Sequence, residues 1–297
     1  MLYFPKSKSY CLLKMPRNPQ KWQQLAHVNR HPRDLVIEFD EPTHKYSIEG
    51  TSEKWISCTG FIHDFFPHFD PQAALAAIKR SKTYTTGKYY GKTDKEILDG
   101  WSDSGKLASG LGTAMHLAIE QFMNGAYDLI DDEVKKTKEW SHFNKFWADC
   151  GPDLVPYRME WEVFSKEHKL AGSIDAIFYR PSDDSHVIYD WKRSREIKST
   201  NDYEKGYYPL DHLPNCNYWH YTLQLNIYKW FLETFYGLRI SDLYIIILHP
   251  DNKNYRRLRL NMLPDEVQAM LDCRLRALKT GAKTPIVLPC MLEDEDV

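Results

Sequence analysis

The chain has no paired cysteines of the CxxC kind. Its six cysteines, Cys11, Cys58, Cys150, Cys216, Cys273 and Cys290, are scattered along 297 residues. That spacing argues against a zinc ribbon. No iron–sulfur cluster is expected either, because four-cysteine clusters draw on grouped thiolates. Reduced thiols are the default expectation. No apolar run approaches the ~18 residues of a membrane-spanning helix. The opening twenty residues lack an apolar segment ending in a small-residue cleavage site, so an intracellular protein is expected rather than a secreted one. Nor is there an excess of charge of one sign: 39 Lys and Arg oppose 41 Asp and Glu, for a net charge of −2. The overall balance therefore carries no polyanion signal, and any such contact must come from local patches. There is no internal repeat.

What is present is apolar and aromatic. Hydrophobic residues make up 42% of the chain and aromatics 14%, enough for a sizeable core in one large domain or two small ones. Residues 1–34 are basic and aperiodic and read as a poorly ordered arm with a short helix near Trp22 to Val28. LVIEF and HKYSIEG read as a hairpin. WISCTGFIHDFFP reads as a strand entering a short helix, with Thr59 as a cap and Pro67 as a stop. Residues 72–101 are helical in pieces around a basic and aromatic segment holding Lys79, Arg80, Lys82, Lys88, Lys92 and Lys95 with Tyr84, Tyr89 and Tyr90. Such interleaving suits a phosphate backbone with bases stacking nearby. A solvated loop has the same composition. SGLGTAMHLAIEQFMNG predicts a helix capped by Thr113, with His116 in its first turn and Glu120 on the same face. DDEVKKTKEWSHFNKFWADC predicts a second amphipathic helix. In YRMEWEVFS, Met159, Trp161 and Val163 alternate with Glu160 and Glu162 as in a strand.

Residues 170–192 read as two strands and a polar turn. Asp175 lies on the first; Asp190 and Lys192 lie on the second, sharing one side while Trp191 points away. By itself an Asp-x-Lys at a strand end is an ordinary surface feature. Two carboxylates and a lysine at one hairpin end are also what a Mg²⁺-dependent phosphodiester hydrolase needs: oxygen ligands for a hard cation, and a lysine to orient or deprotonate water and offset phosphate charge. A long polar loop follows, with Arg193, Arg195 and Lys198 placed to hold substrate phosphates. YWHYTLQLNIYKWFLETFYG predicts a helix ended by Gly237, with Gln224 and Tyr228 one turn apart. DLYIIILHP reads as a strand buried on both faces, RRLRLNML as an edge strand, and the segment from Pro264 to Gly281 as a last helix. The tail MLEDEDV is acidic.

The order His116, Glu160, Gly172-x-x-Asp175, Asp190-x-Lys192, Gln224-x-x-x-Tyr228 resembles the PD-(D/E)XK nuclease superfamily, in particular its RecB-like exonuclease branch. Gly112-Thr113-x-x-His116-x-x-x-Glu120 is similar to the first motif of that branch, and the likeness covers roughly residues 108–249. HKYSIEG followed by ISCTGFI resembles the lead-in of stand-alone members from large DNA viruses and phages. Ile174 stands where the nominal proline of the superfamily would be, as is usual in the branch. The resemblance implies an α/β fold, a central mixed β-sheet flanked by helices, with an N-terminal β-hairpin and a helical extension. It implies one nuclease domain over 35–290, divided into an extension (35–107), a catalytic core (108–260) and a C-terminal helix (261–290), with an acidic tail at 291–297. Carried over by position, Asp175, Asp190, His116, Glu160 and the carbonyl of Trp191 would hold Mg²⁺ or Mn²⁺. Lys192 would activate or position water. Gln224 and Tyr228 would brace the core or touch the nucleic acid. Glu162 and Glu120 are alternatives to Glu160 for completing the metal site. The implied substrate is DNA, single-stranded or with free ends, with no membrane partner; the alternatives on the same fold are a nucleic-acid-binding protein without turnover and an RNA-directed nuclease.

Overall fold

The computed structural model describes residues 23–40, 43–51 and 53–281 of the chain. A mixed sheet carries the fold. Strand β4 (Val155–Ser165), β5 (Leu170–Arg180) and β6 (Ser185–Lys192) form an antiparallel meander. β6 then pairs in parallel with β7 (Ile240–Ile247), and β7 pairs antiparallel with β8 (Arg256–Arg259). The parallel step requires a crossover, and helix α7 (Asn217–Phe235) supplies it. The short β3 (Ile56–Ser57) lies parallel to the first residues of β5. Separate from this sheet, β1 (Ile37–Asp40) and β2 (Lys45–Ile48) form the expected hairpin, which packs Ile37 and Ile48 onto Phe164 and Ala171.

Each face of the sheet has its own core. On one face lie Ile174, Ile177, Ile188 and Ile245, covered by Leu225, Tyr228 and Phe231 of α7, by Phe61 and Ile62 of α2 (Cys58–His63) and by Met270 of α8 (Pro264–Thr280). On the other face lie Phe178, Tyr189, Trp191 and Ile246. They are covered by Met115 and Ile119 of α4 (Asp94–Met123) and by Phe143 and Phe146 of α6 (Lys138–Cys150). This is the α/β architecture expected from the sequence. Among the described residues, no helix is long and apolar enough to cross a membrane.

Several local readings change. The tail at 291–297 and residues 1–22 of the arm lie outside the described residues. Residues 23–34, read as part of a poorly ordered arm, are packed down. Helix α1 (Gln24–Val28) sets Leu25 against the α4 side of the sheet. Asp34 accepts from Arg158 at 2.7 Å and from Trp161 at 2.8 Å. Helix α2 is capped by Ser57, whose Oγ accepts from the Gly60 amide, and not by Thr59. Helix α3 (Pro71–Arg80) precedes α4. The largest change is in α4, which starts at Asp94 and runs for 30 residues. Its capping box is Thr93 with Glu96. Thr113 is therefore interior, its hydroxyl turned back on the Ser109 carbonyl, and His116 lies near the C-terminal end. A short helix α5 (Asp132–Lys135) precedes α6, so the second amphipathic segment is broken at Thr137.

Candidate active site

The alternation of β4 and β5 breaks at one level, and the two facing acids sit at the break. On β4, Met159 belongs to the α4 side, whereas Trp161 and Val163 belong to the α7 side. On β5, Ile174 faces α7 and Ala176 faces α4. The strands pair Met159 with Ala176 and Trp161 with Ile174, so Glu160 and Asp175 stand opposite each other at the switch. Regular alternation would have kept Met159, Trp161 and Val163 on one face, as the sequence suggested. Glu160 absorbs the change with a φ of 42°, a left-handed conformation that costs a non-glycine residue on the order of 1–3 kcal/mol.

His116 reaches this level from α4. Its Nδ1 lies 3.3 Å from Glu160 Oε1 and 3.6 Å from Asp175 Oδ2. Its Nε2 lies 3.0 Å from the Trp191 carbonyl, and the Trp191 amide donates to Asp175 Oδ2 at 2.8 Å. Ligand atoms of His116, Glu160 and Asp175 lie within 4.8 Å of one another. Asp190 is buried next to them, and its Oδ2 pairs with Lys192 Nζ at 2.7 Å. Thus His116, Glu160, Asp175, Asp190, Lys192 and the Trp191 carbonyl, drawn from four elements, converge.

The electrostatics follow from crowding acids in a buried place. Burial opposes a charge on His116, but Asp175 and Glu160 outweigh it and lift the ring to about 9. Burial and the neighbouring Asp175 raise Asp190 to about 6. Burial, with His116 and Lys192 opposing, raises Asp175 as well. One turn beyond His116, burial with Glu160 and Glu162 raises Glu120 to about 7. Lys192 is pushed down by burial and up by Asp190 and Asp175; the carboxylates win and it stays protonated. A charged lysine is a donor and a counter-charge.

Of the other residues singled out, Tyr228 is buried at 3% exposure, with its ring against Gly172. That position excludes contact with nucleic acid and makes it a brace. A Cβ at Gly172 would fall 2.5 Å from Tyr228 Cε1, so this close approach is what the glycine permits. Gln224 donates to Thr59 Oγ1 at 3.1 Å and to the Tyr228 hydroxyl at 3.2 Å, tying α7 to α2. Arg193 is held by Glu139 of α6 at 2.8 Å, whereas Arg195 is largely exposed, 3.8 Å from Asp251. Lys88 and Lys92 are exposed in the segment before α4, away from the acids. Tyr221 escaped the sequence reading: its ring lies 4.6 Å from Lys192 Nζ, a cation–π contact that orients the ammonium group. The signal was an aromatic three residues before Gln224 on the same helix face.

No family model matches the chain, and no curated protein does. Among solved structures, the protein SSO0001 is similar at a TM-score of 0.32 and 16% identity, over 77% of this chain and 78% of its own. A candidate exonuclease from Eubacterium rectale is similar at a TM-score of 0.38 and 15% identity, over 64% of this chain and 75% of its own. Likenesses this distant leave the chemistry to be argued from the site itself.

Proposed function

We propose that the protein is a metal-dependent nuclease of the PD-(D/E)XK kind, hydrolysing DNA phosphodiester bonds at ends or in single strands. The observation that carries this is the meeting of His116, Glu160 and Asp175 within 4.8 Å, beside the Asp190–Lys192 pair. These residues are spread over 77 positions of sequence, from 116 to 192, so their meeting is a product of the fold.

The donor set fits Mg²⁺ or Mn²⁺. Carboxylates and a main-chain carbonyl are the oxygen ligands hard cations take, and imidazole adds preference for Mn²⁺. Asp190 is buried and Asp175 and Glu160 are partly so; three acids beside one lysine and one histidine leave a charge that a cation offsets. Asp175, Asp190, Glu160, His116 and the Trp191 carbonyl would hold it. When bound, a divalent cation supplies Lewis acidity at the phosphate and stabilises charge on the leaving oxygen. His116 must surrender its Nδ1 proton to ligate, so metal affinity rises with pH up to about 9. Lys192 donates to the attacking water or to a non-bridging phosphate oxygen, held in direction by Tyr221 and Asp190. Water attacks phosphorus as the bond to the leaving oxygen breaks in line; the proton the water gives up would pass to a carboxylate of the site and end on the leaving oxygen.

The test is cleavage of end-labelled linear and closed circular DNA, with RNA as control, in Mg²⁺ and in Mn²⁺. The expected result is cleavage of linear DNA with closed circles spared. Asp190→Ala abolishes it, and Lys192→Ala lowers the rate by about 10²–10⁴-fold, both with DNA binding retained. Wild-type protein that binds DNA and never cuts it in either metal sinks the proposal.

A further inference from the structure

The N-terminal half of α4 stands apart from the sheet. Leu75 of α3 and Ile97 of α4 are buried, yet neither joins the clusters that cover the sheet. They close a small lobe of their own over residues 69–101. From Ser102 to Leu111 α4 is exposed on every side. A helix in a globular fold ordinarily buries one stripe; among the described residues this stretch has no partner.

The lobe offers a flat apolar seat. Phe69 is 73% exposed, and its ring centroid lies 6.5 Å from that of Trp101. Together with Pro71, Gln72, Leu98 and Ser102 they line an open groove of about 430 Å³. Trp101 is fixed by a hydrogen bond from its Nε1 to the Tyr89 hydroxyl at 2.7 Å, and Lys88 Nζ lies 4.7 Å from the Tyr89 ring. In the same lobe Arg80, Lys82, Lys88, Lys92 and Lys95 are exposed, and Lys79 is paired with Asp94. They outnumber Asp70, Asp94, Glu96 and Asp99, although the whole chain is slightly acidic.

Helix α4 joins this seat to the acids. Trp101 and His116 are fifteen residues apart, which is about 22 Å along the axis and about 60° around it. They lie on one side of the helix. Between them that side carries Gly105, Ala108, Ser109 and Gly112. A Cβ added at Gly105 or Gly112 would meet nothing within 4 Å, so the packing of this chain does not call for glycine there, and glycine disfavours helix.

The geometry points to α4 as a track for a single strand of DNA. One unpaired base stacks on Phe69 and Trp101, the lobe's lysines hold adjacent phosphates, and the backbone passes the small-residue side toward His116. The inference rests on the nuclease reading of the His116 site and adds where a single strand runs on this chain. Paired bases in a duplex stack on each other and offer no free face; an unpaired base does. An unpaired strand extends further per nucleotide than the ~3.4 Å of a duplex strand, so the track holds at most about six or seven nucleotides.

The test measures fluorescence anisotropy of the full-length protein in EDTA, with labelled oligothymidine long enough to span the track. An abasic strand and a duplex of the same length are compared. Stacking of one base on aromatic side chains corresponds to roughly 5- to 100-fold in affinity. Wild type is expected to prefer the base-bearing strand over the abasic one by that factor. Phe69→Ala removes the preference and leaves abasic affinity unchanged. Gly105→Leu weakens single-strand binding severalfold without lowering the melting temperature. Equal wild-type affinity for base-bearing and abasic strands overturns the inference, as does Phe69→Ala behaving like wild type. A Phe69→Ala variant that loses only self-association in sedimentation also overturns it, making the groove a protein interface. Cleavage in Mn²⁺ is scored separately. Base-dependent binding without cleavage sinks the nuclease reading alone; cleavage without base-dependent binding sinks the track alone.

Discussion

Glu160 is held at a φ of 42° in the middle of a strand, and the strain sits where the strand turns its faces over. Residues kept in such a conformation persist when surrounding structure enforces them, and they gather at functional sites. Glycine adopts that conformation freely. Glu160→Gly is therefore expected to stabilise the metal-free protein by about 1 kcal/mol while lowering Mn²⁺-dependent cleavage at least tenfold. Chemical denaturation and initial rates measure the two effects. A variant that loses both stability and activity would assign Glu160 to the framework. The same scale sets the surroundings of Lys192. Asp190 at 2.7 Å and the Tyr221 ring at 4.6 Å both favour its charged form.

At the scale of elements, the contact between α7 and β5 sets the geometry of the acids. Tyr228 lies against Gly172, three residues before Asp175, and Gln224 links the same helix to Thr59 of α2. Gly172→Ala would force the tyrosine ring away and shift α7 on the strand. The expected cost is about 1–3 kcal/mol of stability, with activity lost in parallel. Adding Tyr228→Leu should recover part of that stability, because the two changes share one space. Urea midpoints of the two single variants and the double variant measure the coupling; strictly additive losses would contradict it. On the opposite face, α4 presents His116 from near its C-terminal end, four residues before Glu120. Its position depends on Met115 and Ile119 packing on the sheet beside it.

For the whole molecule, the acids make stability depend on pH. His116 is raised from 6.5 to about 9 in the folded protein. It therefore contributes stability that is complete below pH 6.5 and lost as pH rises through about 9. Glu120, raised from 4.5 to about 7, acts in the same direction over a lower window: its contribution is complete below pH 4.5 and lost as pH rises through about 7, since its charge is costly once formed. The EDTA-treated protein is expected to melt several degrees lower at pH 9 than at pH 6.5, with His116→Gln flattening the profile. Mn²⁺ should raise the melting temperature, most at the alkaline end where the proton no longer competes. A metal-free melting temperature that does not fall across this window would show that the acids are not coupled as the geometry implies.

The sequence by itself determined the elements and the chemical inventory. The alternation in β4 to β6 and the apolar run of β7 are local patterns. So are the ends of α7 and α8 at Gly237 and Gly281, because turn chemistry and side-chain period act between near neighbours. Asp175, Asp190 and Lys192 were legible for the same reason. Only the tertiary structure decided the rest. The reversal of faces at Glu160 and Asp175 breaks the period on which a strand reading depends. Tyr228 proved to be a brace because Gly172, 56 residues before it, leaves room for its ring. Arg193, just past β6, is committed to Glu139 of α6. Thr113 resembles a cap in sequence, but the helix that contains it begins at Asp94, with Thr93 as its N-cap. The first three of these outcomes depend on contacts between distant parts of the chain, which no local pattern carries; the start of α4 is local, since Thr93 and Glu96 form a capping box three residues apart.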